Sequence, residues 1–146
     1  FEGKKRVVLF PPDQSDLLYR LPFNVHSTVD IDKPDYKEYP ALKYAKGLTG
    51  ILEYGDTLFM PSGYWHHIEY VEGGYGLSVR SLPPQFSVKL KGFYNLTIQR
   101  KLDDMLRFTF GNKWFELKKS IAKKRAERAI KRMHKNNAHS GDLAFQ

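Results

Sequence analysis

The stretch PSGYWHHIEY, Pro61–Tyr70, places two adjacent histidines and a glutamate in a run that is otherwise typical of a buried β-strand. In a strand, successive side chains point to opposite faces of the sheet. The even-numbered residues of this run therefore share one face, and the odd-numbered residues share the other. His66 and His67 consequently point in opposite directions, so only one of them can line a given site.

A second run, KKRVVLF at Lys4–Phe10, predicts another strand because its β-branched residues end at a pair of prolines. Lys5 lies on the same face of this strand as Val7 and Leu9. An ammonium group on an apolar face needs an anion or a path to solvent. A lone strand histidine is more often a hydrogen-bonded core residue, and a lysine near a strand end usually extends to solvent. Taken together, Lys5 and His66 indicate a barrel interior that holds a cation beside a bound carboxylate.

Short strands separated by tight turns continue through the first half of the chain. The sequence predicts strands at Thr49–Glu53, Thr57–Met60 and Tyr75–Ser81, in addition to the one that carries His66. Regular short strands of this kind favour an antiparallel sandwich or barrel. Residues 21–47 show no sustained period and are predicted to form a long ordered loop, of the kind that tends to be functional.

The pattern becomes helical after the proline pair at positions 83 and 84. A helix is predicted over Phe93–Phe110, where Gly111 ends it, and a second helix follows. We therefore expect a mainly β domain over residues 1–84, a helical region over residues 85–136 and a flexible tail over residues 137–146.

The net charge of +8 is concentrated on the second helix. Lys113–Lys135 contains ten Lys or Arg residues and two Glu residues, while basic and acidic residues are equal in number in the rest of the chain. Its apolar residues follow a helical period, which predicts an amphipathic helix with a basic outer face. That face either contacts water on a packing helix or binds RNA or another acidic partner.

Composition excludes several classes of site. The chain contains no cysteine, so disulfides, thiolate zinc sites and cysteine nucleophiles are excluded, and a metal would have to use imidazole or oxygen ligands. No apolar run approaches the roughly 20 residues that span a bilayer, so no membrane association is expected. The absence of cysteine fits a reducing compartment, and we expect a cytoplasmic protein.

Three motifs in this order, GKKRVVLFPPDQ, VDIDKPDY and GDTLFMPSGYWHHIEY, resemble the JmjC-type cupin hydroxylases and small bacterial cupin-like proteins. The resemblance implies a double-stranded β-helix, the cupin jelly roll, followed by two C-terminal α-helices that often form a homodimer. It also implies an enzyme that uses Fe(II), with 2-oxoglutarate as cosubstrate, to hydroxylate a protein side chain or RNA.

The resemblance assigns roles to individual residues of the two strands. The first histidine of the Tyr-Trp-His-His pattern binds iron in this family, which implies His66 as the metal ligand. The strand lysine of the Gly-x-Lys-Arg pattern pairs with the distal carboxylate of 2-oxoglutarate, which implies Lys5. Ile68 shares the face of His66 and would line the cosubstrate pocket. No catalytic residue beyond the metal ligand is implied.

Four further residues are expected near this site. Tyr64 and Arg80 are candidate pocket residues, and Arg80 either binds an acidic group or faces solvent at a strand end. Trp65 and His67 would face away from the iron and would pack or orient the site from behind.

The family also places a His-x-Asp or His-x-Glu pair early in the jelly roll. His26, His134 and His139 are not followed by an acidic residue at the second position. We therefore expect this pair to lie upstream of Phe1, with the chain forming the C-terminal half of the domain and being inactive alone. Two alternatives are a catalytically inactive cupin that binds RNA or an acidic partner through its basic helix, and a non-redox cupin that holds zinc or another metal.

Overall fold

The computed structural model describes residues 2–81 and 86–142. The chain divides into two compact units. The first, here called the sheet unit, comprises Phe1–Ser15 and Ala45–Leu82. The second, the helical unit, comprises Asp16–Tyr44 and Pro83–Gln146. The loop of the first half therefore groups with the helices, whereas the sequence assigns it to the β domain.

The sheet unit contains three antiparallel strands in the order β2-β1-β3. Strand β1 spans Lys4–Phe10, β2 spans Leu48–Leu52 and β3 spans Trp65–Glu72. The central strand β1 supplies the buried apolar residues of this unit, which are Val7, Val8 and Leu9. Because β1 lies between β2 and β3, side chains of both neighbouring strands stand beside its own side chains and help to bury them.

Two of the predicted strands do not form among the described residues of the sheet unit. Thr57–Met60 and Tyr75–Ser81 have no strand structure, although both are short apolar runs. Tyr75 makes a single backbone contact there, where its carbonyl oxygen accepts a hydrogen bond from the Glu2 N–H at 2.8 Å. The structure thus provides a small antiparallel sheet followed by helices, and the complete jelly roll remains a prediction.

The first of the C-terminal helices starts earlier than the sequence predicts. Helix α1 spans Phe86–Tyr94, and a π-helical segment at Asn95–Gln99 joins it to α2 at Arg100–Phe110. Gly111, with φ of 53°, ends α2 as predicted, because this left-handed region suits a residue without Cβ. Helix α3 then runs from Asn112 to Asp142, beyond position 136 where the sequence predicts a tail. Residues 143–146 of that tail lie outside the described residues.

The core of the helical unit lies between α3 and the loop of the first half. A first 3₁₀ helix, Pro12–Asp16, follows β1, and a second, Pro40–Tyr44, lies within that loop. Burial is greatest at small and aliphatic residues, and the side chains of Ala41 and Ala126 are fully buried. The other buried apolar residues of this unit are Leu17, Leu18, Tyr19, Leu21, Leu42 and Ala122. Small residues on α3 allow the loop backbone to approach the helix closely.

Tyr19 anchors this core with a polar group. Its hydroxyl oxygen accepts a hydrogen bond from the Ala41 N–H at 3.0 Å, and its ring meets the ring of Tyr39 edge to face at 4.8 Å. Burial and, to a smaller extent, the negative charge of Glu127 raise the pKa of Tyr19 above its usual value of 10.0, against the opposing effect of the Ala41 N–H. The folded state therefore favours the neutral phenol.

This pKa shift predicts a pH dependence of stability above pH 10. The unfolded chain loses the Tyr19 proton at a lower pH than the folded chain does, so the free energy of unfolding falls as pH rises above about 10. Tyr19→Phe removes this dependence but leaves the Ala41 N–H unpaired, which costs about 1–3 kcal/mol at neutral pH. Urea unfolding from pH 8 to pH 11 should show the stability gap between the two proteins narrowing. A constant gap would contradict the assignment.

In the described residues, no helix combines the length and the apolar character that crossing a membrane requires.

Candidate functional site

One face of the sheet brings Lys5 and His66 together with an apolar residue pair between them. Lys5 pairs with Tyr70 across β1 and β3, Val7 pairs with Ile68, and Leu9 pairs with His66. Residues that pair directly across antiparallel strands point to the same face. These six residues therefore form one surface, here called the His66 face. The alternation predicted for β3 is confirmed, and Lys5, His66 and Ile68 share this face.

The two polar ends of the His66 face are separated along the strands. Lys5 and Leu9 are four residues apart on β1, and His66 lies opposite Leu9, so the two backbone positions are about 13 Å apart along the sheet. The Lys5 ammonium lies 4.5 Å from the centre of the Tyr70 ring, which stabilises the cation electrostatically. The intervening surface is apolar, with Val7 buried and Ile68 39% exposed. This arrangement suits an elongated anion with an apolar middle.

His66 presents its imidazole at the open end of this face. The residue is exposed, and no hydrogen bond engages its ring within residues 2–81 and 86–142. Gly63 precedes the strand with φ of 84°, a conformation that favours glycine, and the Tyr64 N–H donates to the Pro61 carbonyl at 3.3 Å in the same turn. This turn fixes the register in which β3 starts and hence the face on which His66 lies.

The opposite face of the sheet holds structural contacts. The Trp65 indole N–H donates to the Ser15 hydroxyl oxygen at 2.8 Å, which attaches the start of β3 to the end of the first 3₁₀ helix. The Arg6 Nε donates to a Glu69 carboxylate oxygen at 2.7 Å. His67 pairs with Val8 on the same side. Trp65 and His67 thus face away from His66, as the alternation predicted.

The sequence places the His-x-Asp or His-x-Glu pair upstream of Phe1, but the chain itself also contains a His-x-Glu triplet, His67-Ile68-Glu69. Both polar residues lie on the face opposite His66, and the Glu69 carboxylate is paired with Arg6. They therefore cannot join His66 in one coordination sphere. Strand alternation separates this triplet from His66, because His67 and Glu69 lie one and three positions after His66, and odd steps along a strand lead to the opposite face.

At the start of the central strand β1, an ion pair engages a second lysine. The Lys4 Nζ lies 2.9 Å from a Glu53 carboxylate oxygen. This hydrogen bond and the Glu53 charge raise the pKa of Lys4 above its usual value of 10.5. Lys4 is thus paired with a protein carboxylate at the start of β1. Its neighbour Lys5 lies on the His66 face.

The two remaining candidate pocket residues flank β3. Tyr64 is half-buried directly before the strand, on the face that alternation assigns to His66. Arg80 is exposed in a segment without regular secondary structure, and no contact ties it to the described residues of the sheet unit. The structure therefore joins Tyr64, but not Arg80, to the surroundings of His66.

The donor groups of the described residues show how much of a metal site this chain could supply. Within residues 2–81 and 86–142, no group of three or more histidine, cysteine, aspartate or glutamate residues could hold a metal ion. His66 offers one neutral nitrogen donor, and the nearby carboxylate of Glu69 belongs to the other face. These residues fit one ligand of an iron site, together with a cation for the far end of an anionic cosubstrate.

Comparison with known proteins matches this chain to a family model. Residues 1–97 match the model described as Cupin-like domain. That range contains all three strands and every candidate site residue, while α3 lies outside it.

Three relatives illustrate the similarity. The chain is 41% identical over 76 residues to HSPB1-associated protein 1 homolog from Danio rerio, a match that covers 49% of this chain and 17% of that protein. It is 39% identical over 77 residues to tRNA wybutosine-synthesizing protein 5 from Gallus gallus and to its counterpart from Homo sapiens, each match covering 53% of this chain and 24% of the relative. The chain thus spans a quarter or less of the length of these relatives.

Proposed function

Because the chain belongs to the family of cupin-like domains, we propose that it forms part of an Fe(II)- and 2-oxoglutarate-dependent hydroxylase acting on RNA or on a protein side chain. The observation that carries this proposal is the common face of Lys5 and His66. A histidine and a lysine lie at opposite ends of one apolar strip, where they could serve as a metal ligand and an anion-binding cation. An elongated dicarboxylate that chelates a metal at one end requires such an arrangement.

Four residues of the His66 face have a defined role in this proposal. His66 would bind iron through a neutral imidazole nitrogen, since a protonated ring has no lone pair to offer. Lys5 would pair with the distal carboxylate of 2-oxoglutarate. Val7 and Ile68 would cover the carbon chain between these ends and exclude water from it. The iron, when bound, would supply the oxidative chemistry with 2-oxoglutarate and oxygen.

The proposal requires further ligands for the iron. A facial site of two histidines and one carboxylate leaves the remaining positions open for cosubstrate and oxygen. Of these three ligands, the described residues supply His66. We propose that the second histidine and the carboxylate come from a part of the protein outside these 146 residues.

The relatives give the substrate proposal its direction. Two of the three relatives described above carry the name tRNA wybutosine-synthesizing protein 5. Hydroxylation of RNA is therefore placed ahead of hydroxylation of a protein side chain in this proposal. The expected location for such a protein is the cytoplasm.

A second candidate function is a cupin without catalysis that binds a partner through its basic helix. The absence of a three-ligand group among the described residues favours it. This candidate predicts no formation of succinate by the whole protein when Fe(II) and 2-oxoglutarate are supplied. The first candidate predicts turnover, so one assay separates the two.

A homodimer through the C-terminal helices is also proposed. It is supported by exposed apolar side chains along α1, α2 and the π-helical segment between them, which would be covered in a dimer. These side chains are Phe86, Leu90, Phe93, Ile98, Met105 and Phe108.

Substitution of Lys5 tests its role in the proposed reaction. In the full-length protein, Lys5→Gln should raise the KM for 2-oxoglutarate by at least about 30-fold, because a carboxylate inside the pocket would lose its charge partner. The kcat at saturating 2-oxoglutarate should change less, since Lys5 does not contact the reacting atoms. Steady-state succinate formation measures both quantities.

Arg6→Gln provides a matched control for this experiment. It removes a cation from the next position of β1, but on the opposite face, where Arg6 pairs with Glu69. Its KM for 2-oxoglutarate should stay within a few-fold of the unsubstituted value. Equal effects of the two substitutions would show that general loss of positive charge, and not the His66 face, determines the KM.

A further inference from the structure

A row of cations on α3 has no counter-charge within the described residues. Lys124, Arg128, Lys131 and Lys135 follow the i, i+4, i+7, i+11 spacing of one helix face, and Arg132 lies beside them. We call these five residues the basic row. All five are exposed, and no carboxylate lies within ion-pair distance of them in residues 2–81 and 86–142. Glu127 lies at the margin of the row.

The rest of α3 holds the basic row in a fixed orientation. Ala122 and Ala126, roughly opposite the row, are buried in the helical unit. The Lys123 Nζ lies 3.3 Å from a Glu38 carboxylate oxygen, and the rings of Tyr44 and His134 meet edge to face at 5.6 Å. These contacts attach α3 to the loop of the first half. The basic row therefore projects from a packed helix and extends about 16 Å along it.

From these features we infer that the basic row of α3 binds the phosphate backbone of double-stranded RNA. The row is a straight ridge of long cationic side chains with the spacing of helix neighbours, about 5–6 Å. The major groove of A-form RNA is too narrow to admit a helix, so a helix at its mouth meets phosphates of both strands. The wider groove of B-form DNA would instead admit the helix and separate those phosphate rows.

The surroundings of the row disfavour other anionic partners. A helix that binds a membrane surface buries an apolar face in the lipid, but the face of α3 opposite the row already packs against protein. Protein interfaces are built around apolar and aromatic side chains, and no apolar side chain between Lys124 and Lys135 is exposed. Helix α3 lies outside the matched residues 1–97, so this inference does not depend on the proposed hydroxylase.

Binding of the full-length protein to a labelled RNA hairpin, without iron or 2-oxoglutarate, tests this inference. Five phosphate contacts predict a slope of log affinity against log salt of roughly −3.5 to −4.5, a loss of about two orders of magnitude between 50 and 200 mM salt. The triple variant Lys124→Gln/Arg128→Gln/Lys131→Gln should reduce the magnitude of that slope by about 2 to 3. The separate variant Lys124→Arg/Lys131→Arg should bind like the unsubstituted protein because it preserves the charge.

A control with the same change of net charge separates the row from general electrostatics. Lys33→Gln/Lys37→Gln/Lys101→Gln removes three exposed lysines elsewhere in the helical unit and should leave the slope unchanged. Circular dichroism checks that both variants retain their helices. Equal loss in both variants, or unchanged binding in the row variant, would overturn the inference. Equal binding of a DNA hairpin, a poly-glutamate peptide or anionic vesicles would overturn the assignment to RNA.

Discussion

Asp103→Ala is expected to lower the free energy of unfolding by about 3–5 kcal/mol, because it leaves a buried ammonium without its partner. Both oxygens of the Asp103 carboxylate accept hydrogen bonds from the Lys118 Nζ at 2.8 Å. The Trp114 indole N–H donates to the same carboxylate at 2.8 Å. The side chains of Lys118 and Asp103 are 5% and 10% exposed, so water cannot replace the lost contacts. Urea unfolding at pH 7 measures the effect.

The neighbouring residue supplies the control for this prediction. Asp104 is exposed on the same turn of α2 and forms no ion pair with the described residues, so Asp104→Ala should change stability by about 0.5 kcal/mol or less. The double variant Asp103→Leu/Lys118→Met removes both charges and should recover most of the loss. If Asp103→Ala and Asp104→Ala cost the same, the buried ion pair does not hold α2 and α3 together.

His66→Ala is expected to weaken Fe(II) binding by the full-length protein by more than about 100-fold. Residues that only orient a metal ligand typically contribute 10–100-fold to metal affinity, so removal of a ligand itself should cost more. In this proposal the His66 imidazole, on the face shared with Lys5, donates a nitrogen lone pair to iron. The methyl group of alanine has no lone pair to donate. Competition with a chelator of known affinity measures the change.

His67→Ala provides the matched control, since it removes the adjacent imidazole from the opposite face. Its Fe(II) affinity should remain within about tenfold of the unsubstituted protein, because His67 can act on the site only indirectly. A larger loss in His67→Ala than in His66→Ala would assign the ligand to the other face and to the His67-Ile68-Glu69 triplet.

The strands that build the His66 face could be predicted from sequence because their boundaries are chemically marked. The proline pair after β1 and the glycine turn before β3 end or start strands directly, and β1 was predicted with the bounds found, Lys4–Phe10. Strand alternation then separates His66 from His67 without any knowledge of the partner strand. The register that sets Lys5 opposite Tyr70 needed the structure, since pairing depends on which strands become neighbours.

Other predictions failed because their outcome depends on distant residues. Thr57–Met60 and Tyr75–Ser81 have strand-like composition, but a strand needs a series of backbone hydrogen bonds to a neighbour. Neither segment forms such a series among the described residues, where Tyr75 accepts one bond from Glu2. The sequence predicts a basic outer face for Lys113–Lys135, but Lys118 within this segment is buried against Asp103 on another helix. Helical periodicity locates a residue on its own helix and contains no information about a partner 15 residues away.

The helical region shows the same limit in its boundaries. The predicted start at Phe93 missed α1, because Phe86–Tyr94 contains a glycine and a β-branched residue that lower helix propensity. The apolar residues of α3 follow a helical period, but among them Leu117 is 51% exposed, while the small residues Ala122 and Ala126 form the contact. The face of α3 that packs is therefore the one whose small residues let the loop of the first half approach closely. The size of its apolar side chains alone does not decide it.

Formation of succinate from 2-oxoglutarate by the full-length protein tests most directly whether the His66 face is an iron and cosubstrate site. With Fe(II) supplied, the unsubstituted protein and His67→Ala should both turn over 2-oxoglutarate, and His66→Ala should show about 1% of that rate or less. Unchanged turnover in His66→Ala, or equal loss in both variants, would contradict the assignment of His66 as the metal ligand.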